Sequence, residues 1–96
     1  MNKDILNHLQ TITQKLPLEN KDNLQKIYLE VNNGNERELI NLGNFQNEDS
    51  LENIDDYLLI KMNESTFFEL KNNIKHPEDL MFEEKIKIKG NLNLLK

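Results

Sequence analysis

Between Tyr57 and Gly90 the apolar residues change their spacing twice, and few chain topologies satisfy both changes. Leu58, Ile60 and Met62 alternate with their neighbours, the period of a strand with one buried face. Phe67, Leu70 and Ile74 then fall three and four apart, the period of a helix, with Phe68 beside them. Asn63 is placed to cap that helix, with Glu64 in its first turn and Lys71 in its last, as the helix dipole favours. His76-Pro77 opens another short helix, because proline's missing N–H costs nothing at a first helical position; Glu78 and Asp79 follow just inside. Lys85-Ile86-Lys87-Ile88-Lys89 returns to strict alternation and stops at Gly90. A strand, two helices and a strand in succession point to an α+β domain.

The upstream half is consistent with this. Ile5, Leu6, Leu9, Ile12 and Leu16 form one apolar stripe, so residues 3–15 read as an amphipathic helix that stops before Pro17. Ile27, Leu29 and Val31 alternate with Lys26, Tyr28 and Glu30 as a half-buried strand. Asn32-Asn33-Gly34-Asn35 signals a hairpin, since Asn and Gly tolerate positive φ, and a second strand runs from about Glu36 to Leu42. Residues 44–56 carry five acids and no base, with Leu51 and Ile54 able to anchor one turn. No internal repeat or composition break divides residues 1–96, so one domain is expected, with an antiparallel-rich sheet of about four to five strands covered on one face by helices.

Composition narrows the chemistry. A net charge of −5 repels polyanions, so nucleic acid is not an expected partner. The absence of cysteine excludes disulfides, thiolate catalysis and Cys-ligated metal, and fits a reducing compartment. No apolar run approaches the twenty residues of a membrane span, and the start of the chain lacks the apolar core of a signal peptide. His8 and His76 have no cysteine to join them and no spacing for a zinc site. Ser50 and Ser65 sit in no Gly-x-Ser-x-Gly turn. Glu48, Asp49, Glu52, Asp55 and Asp56 lack the regular spacing that wraps a calcium ion and read as a solvated loop. No constellation places a nucleophile beside a base, so an enzyme is not expected, and no cofactor is implied.

Asp56, Leu58, Ile60 and Met62, then Asn63, Phe67 and Leu70, then Pro77, Phe82, Lys85, Ile86, Lys87, Ile88, Gly90 and Asn91 resemble the sterol carrier protein 2 family. In that family a strand with a leading Asp feeds a helix of polar cap, acids, Phe and Leu. A turn and a short helix precede a Gly-Lys-hydrophobic-Lys-hydrophobic-Lys-Gly-Asp/Asn strand, and a C-terminal helix closes the domain. The specific match spans residues 56–93; over residues 1–55 only the order of elements agrees. Where the family has glycines after the Phe helix and before the last strand, this chain has Asn73 and Glu84. Asn substitutes tolerably at a left-handed helix end, whereas Glu is not a natural replacement. Six residues follow Gly90, so the closing helix would barely begin. The expected tunnel is then open at one end, filled by other side chains, or completed by a partner.

The resemblance implies an SCP2-like fold with a hydrophobic tunnel between sheet and helices, binding sterols, fatty acyl chains or other long apolar lipids without covalent chemistry. Carried over by position, the candidate lining is Leu58, Ile60 and Met62 from the strand, Phe67, Leu70 and Ile74 from the helix, and Leu80, Met81, Phe82, Ile86 and Ile88 after it. Without the resemblance, the same set is simply the core that a domain of this length needs. The function expected is non-catalytic lipid binding, in transfer or presentation, in the cytoplasm and with transient membrane contact. The alternative is an accessory or scaffold protein in lipid or quinone metabolism, meeting a protein partner or a second copy at its uncovered C-terminal edge. Lys85, Lys87 and Lys89 mark the solvent side of the last strand, where they guard an edge or touch phosphate headgroups.

Overall fold

A computed structural model describes residues 8–9, 11–14 and 21–95. Its strands are β1 (Ile27–Asn32), β2 (Arg37–Asn41), β3 (Leu58–Asn63) and β4 (Lys87–Gly90), and its helices are α1 (Glu64–Lys71) and α2 (Pro77–Phe82). Short 3-10 turns occupy Lys21–Lys26 and Leu92–Leu95. Residues 8–9 and 11–14 are helical, as the N-terminal stripe predicts; Ile5, Leu6, Leu16 and the stop at Pro17 lie outside the described residues.

The sheet runs β2-β1-β3-β4. β1 pairs antiparallel with β2, as the hairpin leads one to expect, and β3 pairs antiparallel with β4. The central pair differs: β1 and β3 are parallel, in a register that sets Ile27 beside Leu58 and Val31 beside Met62. The hairpin also departs from a two-residue turn. Four residues connect Asn32 to its partner Arg37, and the Asn33 side chain accepts the Glu36 amide at 2.9 Å while Gly34 takes φ +96°.

Alternation then sorts the side chains. Ile27, Leu29, Val31, Ile40, Leu42, Leu58, Ile60 and Met62 face the helices, joined by Leu9, Ile12, Phe67, Leu70, Leu80, Ile86 and Leu94 in one apolar cluster. Each side chain buried there contributes about 1.5–3 kcal/mol of hydrophobic transfer free energy. The opposite face is not left to solvent: Leu51 and Ile54 from the acidic segment, with Tyr57 just after it, pack over Tyr28, Leu39 and Leu59. The Ile54 amide donates to the Leu51 carbonyl at 3.1 Å, forming the turn that the two apolar residues anchor. Glu30, also on this face and buried, is held between Arg37 at 3.4 Å and Lys61 at 3.5 Å.

Asn41 fixes the far end of the hairpin. Its buried side chain accepts the Gly43 and Asn44 amides at 2.7 and 3.1 Å and donates to the Gln25 carbonyl at 2.7 Å. Gly43 is required because a Cβ there would stand 2.8 Å from the Gln25 Cα.

Candidate functional site

The helix side of β3 is where the candidate positions meet. Leu58, Ile60 and Met62 point into the apolar cluster from β3, Phe67 and Leu70 descend onto them from α1, Leu80 comes from α2, and Ile86 from the approach to β4; Ile88 packs against the same cluster half-buried. Local sequence explains the placement. The Asn63 side chain accepts the Thr66 amide at 2.7 Å, so the helix begins immediately after the strand and delivers Phe67 three residues later over its own sheet. Phe67 and Phe68 meet edge to face with centroids 5.4 Å apart, and His8 adds a second such contact onto Phe68 at 6.2 Å.

Three of the eleven expected positions do not belong to this interior. Ile74 is 65% exposed, Met81 37% and Phe82 90%. Ile74 continues the apolar spacing of α1, but the helix ends at Lys71. The Asn73 amide donates to the Leu70 carbonyl at 3.3 Å and the Ile74 amide to the Glu69 carbonyl at 2.9 Å, with Asn73 at φ +60°. This reversal of the chain throws Ile74 outward. In α2, a helix of six residues, only Leu80 is buried. Met81 and Phe82 are rotated by one and two helical steps from it and face away.

The same helix ending recurs after α2. The Glu84 amide donates to the Met81 carbonyl at 3.1 Å and the Lys85 amide to the Leu80 carbonyl at 2.9 Å, with Glu84 at φ +63°. Both positions where the resemblance replaces glycine are therefore left-handed. His76 holds the N-cap position of α2 without a side-chain cap bond. Lys75, in the connector between the helices, ties it to the end of α2: its ammonium meets both Glu83 oxygens at 2.8 and 2.9 Å. That hydrogen bond holds the Glu83 carboxyl below its ordinary value and lifts the Lys75 ammonium above its own.

Two features of the site were not foreseen from the sequence. Leu94, in the last 3-10 turn, is buried in the interior cluster, and the Asn23 side chain donates to its carbonyl at 3.4 Å. Asp56 and Asn91, both read as signature residues, contact each other at 2.8 Å, and the hydrogen bond from Asn91 holds the Asp56 carboxyl below its ordinary value. Lys26 adds an ion pair at 3.5 Å. Chemically, the interior surface of β3 and the helices presents hydrocarbon and the Met62 thioether, so what it offers a ligand is apolar contact. No helix among the described residues is long and apolar enough to cross a membrane.

No family profile and no curated protein matches the sequence. Solved structures do resemble the fold. Sterol carrier protein 2 like 2 from Aedes aegypti superposes with a TM-score of 0.66 at 13% identity, over 96% of this chain and 87% of that one. Sterol carrier protein 2 like 3 from the same mosquito gives 0.57 at 11% identity, over 97% and 88%. The apo form of sterol carrier protein 2 from Yarrowia lipolytica gives 0.51 at 16% identity, over 96% and 79%. The chain thus has the sterol carrier protein 2 fold.

Proposed function

We propose that this chain is a non-catalytic lipid-binding domain, taking the apolar part of a sterol, fatty acyl or comparable lipid between α1, α2 and the helix-facing side of β3. One observation carries the proposal. Leu58, Ile60, Met62, Phe67, Leu70, Leu80, Ile86 and Ile88 form one apolar interior beneath two short helices, in a fold otherwise seen in sterol carrier proteins. The cover is light: α1 buries Thr66, Phe67 and Leu70, and α2 buries Leu80. A lipid that lifts these helices replaces the contacts it displaces. Burying a methylene is worth about 0.8 kcal/mol, so a dozen-carbon chain offers roughly 10 kcal/mol gross. Association and ordering take back several kcal/mol, which leaves affinities of order micromolar. Met62, unbranched and adaptable, suits a wall that repacks around different chains. Loading from a bilayer involves transient membrane contact, and the cytoplasm is the compartment this role assumes.

Displacement of a fluorescent fatty acid from the purified protein, with native mass spectrometry for co-purified lipid, tests the proposal. Lipid-free protein that neither binds the probe nor yields it to acyl chains or sterols refutes it. So does a folded Phe67→Asp variant with unchanged affinity. The exposed Ile74, Met81 and Phe82 favour a second role, protein contact on the outer side of the helices. An empty, concentration-dependent oligomer in light scattering supports scaffolding, and a lipid-loaded monomer supports carriage.

A further inference from the structure

At the end of β3 where the chain turns into α1, a concave site of about 340 Å³ opens beside the apolar interior. Its walls carry Lys61, Lys85 and Lys87 together with Glu84, beside Asn32, Met62 and Asn63. Three ammonium groups and one carboxylate line it, in a chain whose net charge is −5. The arrangement is costly as it stands. Lys61 and Lys87 lie directly opposite each other in the β3–β4 register, and like charges across a ladder repel. Lys61 reaches Glu30 at 3.5 Å, but that carboxylate is shared with Arg37, and Lys85 stands 4.0 Å from Glu69. Among the described residues, no hydrogen bond or ion pair is found at the exposed side chain of Lys87.

We propose that this pocket is an anion subsite that takes the phosphomonoester head of an amphipathic ligand. Three ammonium groups, two of them shared with Glu30 and Glu69, offer donors to the three oxygens of a phosphomonoester, which carries about −1.5 to −2 at neutral pH, whereas a carboxylate has only two oxygens. Met62 belongs both to the pocket wall and to the buried cluster on the other face of β3 from Lys61, so a tail leaving the head reaches the interior around the end of β3. The tail's placement rests on the lipid-binding role proposed above; the head's placement rests on the lysines alone.

The test is titration of isotope-labelled protein with dodecyl phosphate, dodecanol and inorganic phosphate, following backbone amide shifts and affinity. Dodecyl phosphate is expected to bind about tenfold tighter than dodecanol at low salt, with the advantage shrinking as salt rises and with shifts centred on Lys61, Lys85 and Lys87. Lys87→Gln should weaken dodecyl phosphate about two- to fivefold, the loss of one solvent-exposed charge contact, and leave dodecanol unchanged. Lys89→Gln, the same change on the same strand but outside the pocket, should leave both unchanged. Equal affinities for the alcohol and the phosphate overturn the anion subsite while leaving lipid binding intact. Equal losses in Lys87→Gln and Lys89→Gln overturn it too, because they reduce it to diffuse attraction. Inorganic phosphate that shifts the same amides and depends on Lys87, when neither dodecyl compound binds, supports the subsite with a free phosphate as its ligand and refutes the lipid-binding role.

Discussion

Replacing Glu84 with glycine should stabilise this protein, although it deletes an entire side chain. Glu84 occupies the left-handed position after α2 at φ +63°, where its Cβ crowds the following carbonyl. For an L-residue that conformation costs about 1–2 kcal/mol. Glycine avoids the cost but makes the unfolded chain more flexible, which returns about 0.5–1 kcal/mol. The side chain is exposed and takes part in no hydrogen bond or ion pair among the described residues, so beyond its screened attraction to Lys61, Lys85 and Lys87, which Glu84→Ala loses equally, little else is lost. The net gain is about 0.5–1 kcal/mol, equivalent to a midpoint rise of about 2–8 °C in a domain of this size. Thermal and urea unfolding followed by circular dichroism measures it. Glu84→Ala is the necessary control, because it removes the same charge but keeps the Cβ, and it should bring no gain. If alanine stabilises as much as glycine, repulsion among the acids of α2 is responsible and the conformational account is wrong.

Asn63→Ala should cost about 1 kcal/mol in the same assay, since it leaves the Thr66 amide without its cap. A loss near zero would mean that water replaces the cap fully. Gly90→Ala should destabilise by more than about 2 kcal/mol, because Gly90 sits at φ +101° and a Cβ would run into the Tyr57 carbonyl oxygen; an unshifted midpoint would contradict that close approach. Acid should erode stability through Glu83 and Asp56. Their folded values lie below the ordinary 4.5 and 3.8, so their contributions are present above those values and fade as pH falls through the lower folded ones. Lys75 has the opposite sign: raised above 10.5, its contribution is lost only as pH climbs past that raised value. Urea midpoints measured across pH should show a shallower acid limb in Glu83→Gln.

Several elements were legible because their signals are local. The Asn63 cap, the Pro77 start and the alternation in β1 each depend on a few adjacent residues, whereas the left-handed ends at Asn73 and Glu84 were marked only by the family's glycines, and Glu84 is no natural replacement there. Misplaced residues share a different cause. Ile74 keeps the apolar spacing of α1, but spacing cannot reveal that backbone hydrogen bonding ends the helix three residues earlier. Leu80-Met81-Phe82 is an unbroken apolar run, and one short helix can turn only one of its members inward. Tyr28 and Glu30 alternate out of the core as a solvent face would, yet the acidic segment folds over Tyr28 and the sheet leaves Glu30 buried between two cations. The parallel pairing of β1 with β3 had no local signature, because which strands become neighbours is decided by packing over the whole domain.

That parallel pairing also sets what assembly must overcome. The β1–β2 hairpin joins residues close in sequence and closes within microseconds. Joining Ile27 to Leu58 must draw in a segment of about thirty residues, an entropic toll met before any contact of the central ladder is made. The segment that must be drawn in contains Leu51 and Ile54, which settle on Tyr28 and Leu39 of the hairpin. Docking there before the central ladder forms would shorten the remaining search and bring β3 alongside β1. Replacing Leu51 and Ile54 together with alanine should then slow folding more than it speeds unfolding, and the reverse would show that the segment docks only after the sheet has closed.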